Sequence, residues 1–301
     1  MSRTKLKNPV FQTPRGETAG KQVPVQGQER HAILVFTDLD GTLLDSDTYS
    51  FEPARPALKR LKDLGVPLII CSSKTRLEIE HYRREMGNAH PFVAENGGGV
   101  FIPMGYFLTE SVSPETRIEK RGDYEVIRLG AAYPDLRWAL EQLRREGFRV
   151  RGFGDMTTRQ VAELTGLSLE AAGLAKERDF DEPFALEEPT DIAALQHHIE
   201  RLGFRLTKGA LYHILGESDK GRAVLMLCDL YRRARGSIVT IGLGDSQNDA
   251  SMLEQVDYPV LVQKPDGGYD PGITLANLIR AEGVGPVGWN KAVLSLIGRS
   301  S

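Results

Sequence analysis

Asp38 and Asp40 stand two residues apart in Asp38-Leu39-Asp40-Gly41-Thr42, directly after the apolar stretch 32–36. Carboxylates at that spacing can hold one divalent cation and still divide labour, one attacking as nucleophile and the other moving a proton. Gly41 allows the backbone to approach a bound oxyanion. A second acidic pair lies in Gly242-Leu243-Gly244-Asp245-Ser246-Gln247-Asn248-Asp249. Asp245 and Asp249, four apart at a helix start, can share one face, and their hard oxygens suit Mg²⁺. As local structure alone, the first motif is an Asp-Gly turn and the second a helix cap; capping and metal binding are compatible. Cys71-Ser72-Ser73-Lys74 closes another apolar stretch. A short hydroxyl with backbone N–H groups at a helix N-terminus can cradle phosphate. A transferred phosphoryl group also needs a fixed cation. Lys220, leading into the helix before the Asp245 strand, is better placed for this than Lys208, which sits beside Gly209 in the middle of the chain.

Elements that could position these residues are legible around them. Stretches 32–36 and 66–71 are continuous apolar runs, as in strands buried on both faces. Residues 55–64 have helical spacing and stop at Gly65; residues 75–86 start with Thr75 and Glu78 in capping-box positions and stop at Gly87. A third short strand follows at 92–94. The far end has the same organisation, with a helix at 221–233, a strand at 238–243, a helix at 247–255, a strand at 259–262, and two helices within 269–297 separated by a turn near 283–288. This alternation predicts a parallel sheet, with the acidic motifs in the crevice at the strands' carboxyl ends. The middle differs. Half-polar strands at 126–129, 148–153, 184–186 and 204–207 alternate with helices at 134–145, 157–164, 169–176 and 191–201, which predicts a separate α+β insertion. The expected fold is therefore α/β: a Rossmann-like core of residues 31–107 and 212–301, with an insertion of residues 108–211.

The chain has 301 residues, 41% hydrophobic and 26% charged, a net charge of −3 and a pI near 6.1. Such a chain can bury a sizeable core, and the acidic balance argues against nucleic acid as partner. No apolar run approaches the roughly 18 residues of a membrane span. Two cysteines make neither a disulfide framework nor a zinc cluster, so a reduced, cytoplasmic setting is the simplest expectation. Residues 1–30 carry six Lys/Arg against two Asp/Glu, have no apolar periodicity and read as a disordered basic tail. The insertion carries 15 Lys/Arg against 19 Asp/Glu. Any positive field for an anionic substrate must then be local, drawn from Arg149, Arg151, Arg178, Arg205 and Lys208.

Together, Asp-x-Asp-Gly-Thr, the hydroxyl after the next strand, the lysine and Gly-Asp-x-x-x-Asp, in that order, resemble the haloacid-dehalogenase-like (HAD) phosphatase superfamily, and the insertion resembles its C2-type cap. A narrower resemblance over about 32–297 is to the mannosyl-3-phosphoglycerate phosphatase family. It is carried by Phe36 to Leu44, Cys71-Ser72-Ser73-Lys74-Thr75, Glu95-Asn96-Gly97-Gly98, Arg178-Asp179-Phe180-Asp181-Glu182-Pro183-Phe184 and Gly285-Pro286-Val287-Gly288-Trp289-Asn290. Ser73-Lys74 stands where most Cof-type relatives have Gly-Arg. The resemblance implies that Asp38 attacks phosphorus, that Asp40 is the acid/base, and that Ser72 and Lys220 hold the phosphoryl oxygens. It further implies Mg²⁺ held by Asp38, Asp40 (through its carbonyl), Asp245 and Asp249. The substrate would be a small anionic phosphorylated sugar or glycerate, met by Ser73, Lys74, Asn96, Gly97 and Asn248 from the core and by Arg178, Glu182, Lys208 and His213 from the cap. A monomer or homodimer is expected. Related sugar phosphatases, a phosphomannomutase-like enzyme and a phosphate-binding regulatory protein are the competing expectations.

Overall fold

A computed structural model describes residues 31–108, 118–209 and 211–298. The basic segment 1–30 lies outside the described residues. The first half of the core runs β1 (Ala32–Thr37), α1 (Arg55–Asp63), β2 (Leu68–Cys71), α2 (Arg76–Met86), β3 (Phe92–Ala94), β4 (Gly99–Pro103), β5 (Ile118–Arg121) and β6 (Tyr124–Arg128). Next come α3 (Tyr133–Arg145), β7 (Val150–Gly152), α4 (Thr158–Thr165), α5 (Leu169–Ala175), β8 (Asp181–Leu186), α6 (Ile192–Arg201), β9 (Arg205–Lys208) and β10 (Tyr212–Leu215). The chain then returns through α7 (Lys220–Arg235), β11 (Ile238–Gly244), α8 (Ala250–Leu253), β12 (Tyr258–Gln263), β13 (Ile279–Val284) and α9 (Gly285–Leu296).

Nine strands form one sheet in the order β13-β12-β11-β1-β2-β3-β4-β6-β5. Pairing is parallel from β13 to β3 and antiparallel beyond. Successive side chains of a strand point to opposite faces. On β1, Val35 therefore joins Trp289, Phe51 and Ile70 on one side, while Leu34 and Phe36 join Leu227, Tyr231 and Met252 on the other. Helices cover both faces, which is why β1 reads as an unbroken apolar run. The helix start at α2 is as read: Thr75 accepts from the Glu78 N–H, Glu78 returns the bond to Thr75, and Gly87 caps the end at φ +63°.

A second, four-stranded antiparallel sheet, β7-β8-β10-β9, forms the cap. Leu136, Leu140, Leu195 and Ile199 of α3 and α6 pack on Phe184 and Ile214. Two boundaries differ from the sequence reading. The hairpin β5–β6, assigned to the insertion, pairs with β4 and extends the core sheet, and β10, assigned to the core, is a cap strand. The C-terminal stretch holds one helix, α9, preceded by the strand β13 instead of a second helix. Gly267, Gly268, Pro271 and Gly272 break any helix there, and residues 279–284 complete the sheet beside β12. Among the described residues no helix is long and apolar enough to cross a membrane.

Candidate active site

The carboxyl ends of β1, β2, β11 and β12 deliver the functional side chains to one place. Asp38 follows β1 and is tied to the neighbouring strand by its N–H to the Leu243 carbonyl, 2.9 Å. The indole N–H of Trp289 donates to the Thr37 hydroxyl, 3.0 Å, and that hydroxyl donates to the Asp38 carbonyl, 2.7 Å. The segment around Trp289 thus braces the strand end from beneath. Asn290 beside it accepts from the Ala57 N–H at 2.9 Å. Gly41 has φ +72°, and a Cβ there would lie 2.9 Å from an Asp245 oxygen. Only glycine lets the loop after Asp40 pass so close to the second acidic strand.

Asp38, Asp245 and Asp249 each bring a carboxylate oxygen within 4.8 Å of the others. Lys220, at the start of α7, reaches between two of them: Nζ lies 2.6 Å from Asp38 Oδ1 and 2.6 Å from Asp249 Oδ1. The other Asp249 oxygen accepts from the N–H groups of Asp245 and Ser246, 3.0 and 3.2 Å. Asp249 is therefore fully engaged in holding the lysine and the loop. Asp245 accepts only the Thr42 hydroxyl, 3.0 Å, among the described residues. Burial raises the Asp38 carboxyl well above the ordinary range, with Lys220 opposing and the neighbouring carboxylates adding. Burial and then Asp249 push Asp245 up to about 6. Burial alone would lower the Lys220 ammonium, but Asp249 and Asp38 outweigh it and keep it charged. Three carboxylates facing this ammonium leave excess negative charge, with oxygens of Asp38 and Asp245 open to a divalent cation.

Asp40 is outside this three-carboxylate group but on the same cleft. Its carboxylate lies 3.0 Å from Lys74 Nζ, which also lies 3.6 Å from Glu78 and stands over the Tyr49 ring at 5.1 Å. Burial disfavours the Lys74 charge, and Asp40 and Glu78 more than restore it. One carboxylate thus sits with the metal-type cluster and the other with a cation at the cleft, the separation that divided roles require.

A cleft of about 580 Å³ opens between the strand ends and the cap. Of the residues expected at the site, Asp38, Asp40, Ser73, Lys74, Asn96, Arg178, Lys208, His213, Asp245 and Asn248 line it. Asn96, Asn248 and Lys220 border an adjoining cavity. Asn96 donates to Asp181 at 2.9 Å, while its buried Oδ1 has no hydrogen-bond partner among the described residues. His213 Nδ1 lies 3.0 Å from Asp181, and Arg178 donates to Asp181 and to the Ser73 carbonyl, both 2.9 Å. Burial would raise the Asp181 carboxyl, but His213 and Arg178 hold it low.

Three expectations meet a different geometry. Glu182 is buried inside the cap, where Arg137 (2.6 Å), the Tyr133 hydroxyl (2.9 Å) and the Gly154 N–H (2.9 Å) occupy its carboxylate. It neighbours Asp181 on β8, so strand alternation sends it to the opposite face. Gly97 also lies off the cleft: at φ +89° it packs on α7, where a Cβ would meet the Asp219 carbonyl at 2.1 Å. Ser72 is fully buried, its hydroxyl accepting the Lys74 N–H at 3.2 Å, and Ser73 forms the cleft wall beside it. Unanticipated residues at or near the cleft are Tyr49, Lys264 and Glu95. Lys264 follows β12, the same strand-end rule that exposes Asp245. It pairs with Asp270 at 2.7 Å. Glu95 opens the Glu95-Asn96-Gly97-Gly98 segment, in which only Asn96 and Gly97 were expected at the site.

A family model of haloacid dehalogenase-like hydrolases matches residues 35–121 and 183–265. The chain belongs to the haloacid dehalogenase-like hydrolases. Its similarity to individual members of that family is extensive. It is 49% identical over 271 residues to a Methanococcoides burtonii protein named glucosyl-3-phosphoglycerate/mannosyl-3-phosphoglycerate phosphatase, covering 89% of this chain and 98% of that one. A Pyrococcus horikoshii protein named mannosyl-3-phosphoglycerate phosphatase is 37% identical over 230 residues, 76% of this chain and 90% of that one. Among solved structures, a Thermoplasma acidophilum protein matches with TM-score 0.63 at 16% identity, over 87% of this chain and 97% of that one. The sucrose-phosphatase of Synechocystis matches with TM-score 0.55 at 14% identity, over 87% of this chain and 97% of that one. These two likenesses are of fold: a haloacid dehalogenase-like core and cap.

Proposed function

We propose that the chain is a phosphomonoester hydrolase that removes the phosphoryl group from mannosyl-3-phosphoglycerate and its glucosyl analogue by way of an aspartyl-phosphate. The observation that carries this is a buried Asp38–Lys220–Asp249 contact facing a cleft of small-molecule size, in a chain 49% identical to a protein named for that activity on both substrates. An Asp38 oxygen attacks phosphorus as the bond to the glycerate oxygen breaks, and Asp40 gives that oxygen its proton. Water then attacks the aspartyl-phosphate, Asp40 takes the proton back, and inorganic phosphate leaves. Lys220, fixed by Asp249, offsets phosphoryl charge without reorganising. Ser73 and the backbone beside it would hold the phosphoryl oxygens from the adjacent strand end, with the buried Ser72 hydroxyl bracing that turn through the Lys74 N–H.

Mg²⁺ fits the donor set of Asp38 and Asp245, and when bound would neutralise phosphoryl charge and orient the ester. Arg178, His213, Lys208 and Asn96 are placed to read the organic part of the substrate. The free buried thiols of Cys71 and Cys228 fit a reducing, cytoplasmic compartment.

The test is phosphate release from a panel of mannosyl- and glucosyl-3-phosphoglycerate, hexose phosphates, sucrose phosphate and an aryl phosphate, with and without Mg²⁺. A preference of about 10²-fold for the glycosyl-phosphoglycerates, some 2.7 kcal/mol at the transition state, is expected. Preference for another ester would replace the substrate and keep the chemistry. No release from any ester would overturn the hydrolase.

A further inference from the structure

Glu95 takes no part in the chemistry above, yet its placement is unusual. Glu95, Asn96 and Gly97 have φ of 52°, 55° and 89° in succession. A left-handed backbone at a non-glycine residue persists only where its surroundings hold it. The Glu95 carboxylate is buried and accepts bonds from three consecutive cap amides. The Asp179 N–H lies 3.0 Å from each oxygen, and those of Phe180 and Asp181 lie 2.6 and 2.8 Å from Oε2. These amides lead into β8 between Arg178 and Asp181, the residue that holds His213. Gly98 and Gly99 lie against Phe180, where a Cβ would come within 2.3 and 2.4 Å of its side chain. From the outside, Arg121 of the core sheet donates to Asp179 at 2.9 Å and stands over the Phe180 ring at 5.4 Å.

We infer that Glu95 is a positioning residue: through the backbone of residues 179–181 it fixes Arg178 and His213 of the cap over the nucleophile, and so sets substrate selectivity without touching substrate. This rests on the cleft reading given above. Burial pushes the Glu95 carboxyl up to about 8, with Arg178 and the amides opposing, and both its oxygens accept N–H bonds that are strongest in the ionised form; these bonds tie cap to core where the seam could otherwise move.

The test compares Glu95→Gln and Arg121→Ala with the wild type on two esters, the panel's preferred ester and an aryl phosphate that offers Arg178 and His213 no polar group. Glu95→Gln keeps the shape but turns an NH₂ toward the amide donors. Its kcat/KM on the preferred ester should fall about 10–30-fold, mostly through KM, while that on aryl phosphate stays within about twofold. Arg121→Ala, at a half-exposed site, should move the same ratio about threefold in the same direction. Equal losses on both esters, or no loss on either, would overturn the inference. Should Glu95→Gln fail to fold, an unchanged ratio in Arg121→Ala would overturn it alone. The reporter is whichever ester the wild type prefers, so an unexpected preference refutes the proposed substrate and leaves this comparison standing.

Discussion

Replacing Lys220 with methionine keeps the aliphatic stem and removes the ammonium that lies 2.6 Å from both Asp38 and Asp249. The lysine side chain is 1% exposed and those of its partners 6% and 0%, so water cannot screen what remains. Breaking a buried ion pair by removing one partner costs about 3–5 kcal/mol. For a domain of this size, that corresponds to a melting-temperature loss of roughly 6–20 °C at about pH 7 without metal. The pH dependence has a definite sign. Burial already raises the Asp38 carboxyl in the folded state, and loss of the ammonium raises it further. The folded variant then binds protons that the unfolded chain does not, so its deficit should shrink as pH falls toward about 5. Mg²⁺ should also narrow the deficit by supplying positive charge. Catalytically, kcat should fall about 10²–10³-fold, the loss typical of a preorganised group aimed at developing charge. Thermal melts at two pH values, with and without Mg²⁺, and phosphate-release kinetics measure all of this. A variant that melts within about 2 °C of wild type at neutral pH and keeps most of its kcat would refute the role given to Lys220.

Asp38→Asn removes the nucleophile and should lower kcat by about 10³-fold or more. Its melting temperature should hold or rise, because one of three crowded carboxylates becomes neutral; appreciable turnover would disqualify Asp38. Asp245 is raised to about 6, so protons compete with Mg²⁺ below that pH. The apparent Mg²⁺ affinity, read from thermal shifts, should weaken up to about tenfold per pH unit below 6. Without metal, the stability this group contributes is present below its ordinary value of 3.8 and lost as pH rises through about 6; equal Mg²⁺ affinity at about pH 5 and 7 would take Asp245 out of the metal site. Glu182→Ala removes the buried acceptor of the Tyr133 hydroxyl and the Gly154 N–H and leaves Arg137 with Asp155 alone, which should cost about 1–3 kcal/mol while leaving KM within about threefold. A tenfold KM rise without a stability change would return Glu182 to the substrate cleft.

The core was legible because its information is local. An apolar run ending in Asp38 or Asp245 specifies both a strand and the group at its carboxyl end, and Thr75 with Glu78 marks a helix start by chemistry confined to four residues. The same strand-end rule reaches Lys264 after β12, which passed unread amid the turn-forming residues that follow it. The hairpin β5–β6 joins the core sheet because β4 offers it a partner, and a choice of partner leaves no mark in the hairpin's own pattern. Asp181 and Glu182 are equally acidic neighbours; which one approaches the cleft depends on which face of β8 the α3 helix covers. Glu95 is further removed still, since its acceptor role exists only once amides 84 to 86 residues later are brought to it.

The acidic cap poses a charge problem for an anionic substrate, and pairing resolves it. Asp155 engages Arg137 and Arg144, Glu182 engages Arg137, Asp181 engages Arg178 and His213, and Asp179 engages Arg121. Four of the nineteen acidic residues between 108 and 211 are thereby paired inside the cap or at its seam with the core. Of the five basic residues that could have clustered, Arg149 pairs with Glu188 at 3.4 Å on the outer surface, Arg151 lies on β7 outside the cleft lining and Arg205 borders the adjoining cavity, leaving Arg178 and Lys208 on the cleft itself. Lys208 stands over the Tyr212 ring at 5.1 Å and carries no ion pair among the described residues. Lys74 and Lys264 approach from the core, each already partnered by a carboxylate. The field a substrate meets is set by which charges are left unpaired at the cleft, a property of register and packing. A net count over the insertion, negative as it is, says little about it.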